Sequence, residues 1–163
     1  MRYNKIRKTD IANGPGIRVS IFMQGCAFHC KNCFNSDTWD FDKGLEFNDE
    51  VIDEVLNLCN NNHISGLSIL GGEPLHPNNI EGTIKLSKMF KEKYPDKTLW
   101  IWTGFTYDTV CNKEIFNYVD VLIDGRYQDE LHDFRLKWRG SSNQRVIDVK
   151  KTLKRKEIVL YCE

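Results

Sequence analysis

The chain has 163 residues, of which 40% are apolar, 12% aromatic and 28% charged, a globular composition long enough to bury one core and short for two. Lys plus Arg and Asp plus Glu each number 23, so the formal net charge is zero and bulk charge offers no footing for a nucleic acid or another polyanion. The opening MRYNKIRKTD lacks an apolar core of signal-peptide length, and no run approaches the roughly 20 apolar residues of a membrane span, so the expectation is a cytoplasmic protein without membrane contact.

In chain order, GIRVSIFM (16–23) alternates Ile17, Val19, Ile21 and Met23 and predicts a strand. DEVIDEVLNLC (49–59) repeats Val51, Ile52, Val55, Leu56 and Cys59 at helical spacing, with Asn48 placed to cap it. ISGLSIL (64–70) predicts a strand, NIEGTIKLSKMFKEKY (79–94) a helix stopped by Pro95, and TLWIWT (98–103) a strand. YDTVCNKEIFNYV (107–119) has helical spacing, and DVLID (120–124) is strand-like. The tail predicts two short strands, RVIDV and EIVLY, around the basic turn KKTLKRK. No linker or composition shift interrupts the chain, so one domain over residues 1–163 is expected. Alternating strands and helices imply parallel strands joined by right-handed crossovers. Four of these strands end at glycines, Gly25, Gly71, Gly104 and Gly125. Parallel strands place such ends on one edge, where α/β folds bind ligands. Four strands are too few to close an eight-stranded barrel, so the expected fold is α/β, an incomplete and open parallel β/α barrel.

GCAFHCKNCFN (25–35) sets Cys26, Cys30 and Cys33 in a Cys-x3-Cys-x2-Cys pattern just after the first predicted strand. Three readings are open. The cysteines could be unrelated structural thiols. They could hold zinc, which wants four ligands, with His29 or a remote cysteine completing the set. They could hold a four-iron cluster that lacks its usual fourth cysteine and so keeps one iron free for a ligand. The remaining cysteines, Cys59, Cys111 and Cys162, are scattered, and the first two fall on helix patterns where core positions are expected.

The cysteine pattern after one strand, with GGEP (71–74) after the next, resembles the radical S-adenosylmethionine enzymes. The resemblance implies one [4Fe-4S] cluster on Cys26, Cys30 and Cys33. It also implies a cofactor site for S-adenosyl-L-methionine built from Asn32, Cys33, Phe34, Gly71, Gly72 and Glu73, with Glu73 suited to the methionyl ammonium. NGPGIR (13–18), CFN followed by TWD, LWIWTGF, LIDGRY and WRGSSNQRVID are similar to the activases of glycyl-radical enzymes, in particular those serving anaerobic ribonucleoside-triphosphate reductase. That likeness implies the reductase's glycyl-radical subunit as partner and a one-electron donor such as flavodoxin or ferredoxin. It implies reductive cleavage of the cofactor to a 5′-deoxyadenosyl radical, with no acid, base or nucleophile required from a side chain. An activase for a different glycyl-radical enzyme, a small-molecule radical enzyme and a zinc-binding module are the alternatives.

Other marks have plainer readings beside these. NGPG is a turn signature that could shape the cysteine loop, and Arg18 could be a surface strand residue. Asp124 could cap a turn or meet the cofactor. The segment 139–145, RGSSNQR, could be a surface loop or could use its two arginines to grip a carboxylate or a partner's loop.

Overall fold

A computed structural model describes all 163 residues, Met1–Glu163. Its elements are β1 (Arg2–Asp10), β2 (Ile17–Gln24), β3 (Leu45–Glu46), α1 (Asp49–Leu58), β4 (Ile64–Gly71), α2 (Ile80–Lys93), β5 (Thr98–Trp102), β6 (Val121–Asp124), β7 (Arg145–Asp148), α3 (Val149–Arg155) and β8 (Leu160–Cys162). They form one eight-stranded sheet in the order β3-β1-β2-β4-β5-β6-β7-β8, which does not close on itself. The central four strands, β2, β4, β5 and β6, are parallel. The flanking pairs β1–β2, β1–β3, β6–β7 and β7–β8 are antiparallel. The sheet is therefore mixed, with the expected parallel unit at its centre.

Period-2 alternation divides the side chains between two faces. Val19, Ile21 and Met23 of β2, Leu67 and Ile69 of β4, and Leu99 and Ile101 of β5 pack with α1 and α2 in a core of 26 buried residues. The other face carries Trp100, Val121, Ile123 and Val146 as a small apolar cluster, together with buried Arg18, Ser20 and Ser68. Helix α1 starts where Asn48 accepts a hydrogen bond from the Val51 amide at 3.1 Å, and the acids of its first turn suit the positive end of the helix dipole.

Three local expectations are corrected, and one long strand is new. Residues 107–119 do not form one helix but two short 3-10 turns, Tyr107–Thr109 and Lys113–Asn117. Thr106 and Thr109 cap each other, Asn112 starts the second turn afresh, and Lys113 Nζ takes the carbonyls of Tyr107 and Asp108 that a continuing helix would use. The apolar periodicity there reflects tertiary packing of Val110, Ile115 and Phe116. Cys111, in the gap between the turns, is exposed rather than core. The basic tail run is helix α3, capped by Asp148 at Lys151 N and ended by Lys156 in the left-handed region (φ 58°). Finally, β1 went unpredicted because RYNKIRKTD is mostly polar. It is held by backbone pairing to β2 with two register shifts.

Arg18 is fully buried, not a surface residue. Its guanidinium donates to Ser68 Oγ (2.8 Å), Thr98 Oγ1 (2.9 Å), Leu67 O (2.9 Å) and Thr98 O (2.8 Å), so one side chain spans β2, β4 and β5. It lies 5.7 Å from the centre of the Trp100 ring. Gly66 makes room for it, since a Cβ there would sit 2.0 Å from Thr98 O and 2.7 Å from Arg18 Nη2. Burial pulls the Arg18 pKa down to about 10. The NGPG segment folds against this network through Ser68 Oγ to Asn13 O (2.6 Å) and Asn13 Nδ2 to Asp10 (2.7 Å). It precedes β2, whereas the cysteine loop follows that strand. Replacing Arg18 with Met should leave several buried acceptors unpaired and destabilise the fold by about 3 kcal/mol or more. Urea unfolding measures this, and a loss below about 1 kcal/mol would mean that the network contributes little.

Candidate functional site

The C-terminal ends of β2, β4, β5 and β6 open into one cavity of about 540 Å³. Cys26, Cys30 and Cys33 all line it, as do Gly71, Gly72 and Glu73, then Thr103 and Gly104, then Gly125. Four segments distant in sequence thus meet at one edge, as the strand-end glycines predict. Gly25 stands just behind, where its carbonyl accepts a hydrogen bond from Glu73 N at 2.8 Å.

The turn after β4 is fixed by backbone contact with the cysteine loop. Gly72 N donates to Met23 O at 2.9 Å. A Cβ on Gly72 would lie 2.6 Å from Gly25 O and 2.9 Å from Thr38 O, so only glycine fits. Gly71 has φ +103°, a region L side chains rarely adopt. Buried Asn79 ties both segments together, donating to Gln24 O at 3.2 Å and Glu73 O at 3.0 Å.

Glu73 is fully buried, and internal donors engage both of its oxygens. Thr103 Oγ1 (2.6 Å) and Leu75 N (3.0 Å) reach Oε1, and Gly104 N (2.6 Å) reaches Oε2. Burial outweighs these three donors and pushes its pKa up to about 7. Asp124 is likewise turned inward, paired with Arg145 Nε at 2.9 Å and accepting from Tyr107 N at 2.8 Å.

Within the cysteine loop, His29 (φ 49°) and Asn32 (φ 56°) adopt left-handed conformations that curl the chain between the thiols. Cys33 N donates to Cys30 O at 3.1 Å. Asn35 N donates to Cys33 Sγ at 3.4 Å, and the backbone amides of Phe28 and His29 favour the Cys26 thiolate. Amide donors on sulfur suit ligating thiolates and tune iron–sulfur clusters. Burial pushes the Cys26 thiol up to about 11, so its ionisation calls for a metal cation. The three thiols share one cavity but are not gathered as a preformed metal site: no group of three or more His, Cys, Asp or Glu side chains comes together. The His29 ring stacks on Trp39 at 4.4 Å.

Phe34 is 67% exposed, at the cavity margin beside Tyr127 and His132. Asn32 does not line the cavity; its amide donates to Asp129 at 2.9 Å, latching the cysteine loop to the segment after β6. A second latch is Arg126 Nη2 to Phe28 O at 3.0 Å. That segment, residues 126–144, supplies Tyr127, His132, Phe134, Leu136, Trp138 and Arg139 to the wall; the sequence pointed to Arg139 as a possible carboxylate grip and to Tyr127 and Trp138 only as parts of longer motifs, while His132, Phe134 and Leu136 went unmarked. A signal was present: a run without periodicity that carries many aromatics directly after a strand-end glycine.

Residues 12–147 match the family model described as a 4Fe-4S single cluster domain. The chain is 39% identical over 146 residues to the anaerobic ribonucleoside-triphosphate reductase-activating protein of Enterobacteria phage T4, a match covering 90% of this chain and 93% of that one. The protein of the same name from Vibrio cholerae is 37% identical over 148 residues, covering 88% and 96%. That from Pasteurella multocida is 40% identical over 151 residues, covering 88% and 95%.

Glu73 gives the fold a pH signature. A carboxyl whose folded-state pKa exceeds the usual 4.5 binds its proton more tightly when folded. Its stabilising share is present below about pH 4.5 and is lost as pH rises through about 7. Unfolding free energies of the metal-free protein at pH 5 and pH 8 should therefore differ by up to about 3 kcal/mol more for wild type than for Glu73→Gln. Equal pH slopes in the two proteins would show that Glu73 does not titrate in this range.

Proposed function

The chain belongs to the family of anaerobic ribonucleoside-triphosphate reductase-activating proteins, and we propose that it is a radical S-adenosylmethionine enzyme that installs the glycyl radical of such a reductase. One observation carries this reading. The three cysteines of the Cys-x3-Cys-x2-Cys loop line the same cavity as the Gly71-Gly72-Glu73 turn and the other parallel strand ends.

In this proposal Cys26, Cys30 and Cys33 hold a single [4Fe-4S] cluster that keeps one iron open for S-adenosyl-L-methionine. When bound and reduced by a donor such as flavodoxin or ferredoxin, the cluster would supply the one electron for reductive cleavage of S-adenosyl-L-methionine, releasing methionine, and so the means to take a hydrogen atom from a glycine Cα of the partner. The protein's own work is binding, positioning and exclusion of water. Gly71 and Gly72 bring backbone against the end of β2 and the start of the cysteine loop and would offer it to the methionyl group. Glu73, already engaged by Thr103, Gly104 and Leu75, would act chiefly by holding the ends of β4 and β5 in register. Phe28, Phe34, Trp39 and Trp102 supply apolar wall. The unclosed sheet leaves a side through which a loop of a partner protein could enter and itself act as the lid.

Two experiments test the proposal. After anaerobic reconstitution, Cys26→Ala, Cys30→Ala and Cys33→Ala should each lose cluster iron and sulfide and all cofactor cleavage, while Cys111→Ala and Cys162→Ala keep both. Loss of the cluster in Cys111→Ala or Cys162→Ala, with the fold intact, would reassign the ligands. Mixing the reduced protein with S-adenosylmethionine and a reductase deuterated at glycine Cα should give a stable radical on the reductase, seen by electron paramagnetic resonance, and deuterium in 5′-deoxyadenosine. Deuterium retained on the reductase would remove the activase reading.

A further inference from the structure

Two arginines flank the 139–145 segment, and the structure separates them. Arg145 is consumed by Asp124. Arg139 lines the cavity and has no carboxylate within ion-pair range. Its guanidinium makes one hydrogen bond, from Nη1 to the Gln144 carbonyl, and its Nε is buried without a partner. The other arginine of the cavity wall, Arg7, is paired with Asp10 at 3.9 Å. An unsatisfied buried donor on a charged group is costly to keep.

The backbone beside it is strained. Trp138 has φ 61°, an uncommon conformation for a bulky residue. It is held there by Trp102 Nε1 donating to Trp138 O at 2.7 Å, with its ring edge-on to Trp100 at 4.9 Å. Beyond Arg139 the loop is clamped by Gln144 Oε1, which accepts from Gly140 N (2.9 Å) and Ser141 N (3.1 Å), while Gln144 Nε2 donates to Gly125 O at 3.0 Å. A bend and a clamp therefore fix a guanidinium on the cavity wall with donors to spare.

We propose that Arg139 is a carboxylate-binding residue of this cavity, presented to it by the left-handed bend at Trp138. A guanidinium with one side spent on a carbonyl can still grip a carboxylate with the other. The inference rests on the activase reading for its two sources of carboxylate: the methionyl group of S-adenosylmethionine, or an acidic group on the reductase segment that enters the cavity.

The test uses the cluster-loaded protein and Arg139→Gln, with S-adenosylmethionine, its decarboxylated analogue and the reductase each titrated by calorimetry. Loss of affinity of about tenfold or more for S-adenosylmethionine, with the decarboxylated analogue unaffected, assigns the methionyl carboxylate. Unchanged S-adenosylmethionine binding with a similar loss for the reductase assigns the partner's carboxylate. Arg139→Lys, which keeps the charge but not the fork, should give an intermediate loss, and it carries the same comparison if Arg139→Gln does not fold. Wild-type affinity for all three ligands, or equal losses for S-adenosylmethionine and its decarboxylated analogue, overturns the role of Arg139 alone. A cluster-loaded wild type that binds neither S-adenosylmethionine nor reductase overturns the activase reading along with it.

Discussion

The close approach of Gly72 to the Gly25 backbone is the constraint on which the cavity depends. With no room for a Cβ between them, the turn after β4 and the loop after β2 become one rigid surface. Glu73 N on Gly25 O and Asn79 across both segments complete the joint. Glu73 then carries it sideways to β5 through Thr103 and Gly104. The cross-ties are made by backbone groups and by side chains buried within them. The outward surface of the turn remains available to a ligand, and the rigidity is of the kind that holds reacting groups in place.

Farther along the same face, the problem solved is different. The inner side of the sheet is not a dry apolar layer but a polar network around a buried guanidinium. Arg18 has no carboxylate within bonding distance; carbonyls, hydroxyls and the face of Trp100 surround it instead. Asp10 anchors the other end of the network through Ser20 at 2.6 Å and Ala12 N at 2.8 Å. Burial alone would raise its pKa, but bonds from Ser20, Asn13 and Ala12 hold it below the usual carboxylate range. Such networks cost desolvation and return geometric specificity when every member is satisfied. Here the geometry specified is that of the NGPG loop and its approach, where Ala12 and Asn13 form part of the cavity wall.

Much of this was legible in the sequence. The parallel strands and the two long helices have strong periodicity, and Asn48 caps the first of those helices. The strand-end glycines brought the right four segments to one edge. What escaped followed from forces that periodicity does not record. β1 is written in backbone pairing, not in side chains. The 107–119 segment has helical apolar spacing, yet its caps and Lys113 divide it into turns. Glu73 stands where the resemblance puts a carboxylate suited to a methionyl ammonium, and the three internal donors that hold it leave no trace in the sequence. No sequence pattern reveals that Arg145 has an aspartate 21 residues away while Arg139 has none.

One side of the cavity comes from residues 126–144, and its latches join groups 97 and 98 residues apart, Asn32 to Asp129 and Arg126 to Phe28. A ribosome makes the chain from its N-terminus, so the thiols of the cysteine loop leave the exit tunnel long before the residues that will enclose them. During that interval the loop has neither its aromatic shelter nor its latches. Contacts so distant in sequence are also among the slower ones to form. The cysteine loop is thus made early and covered late, and its thiols stay open to oxidants until residues 126–144 fold over them.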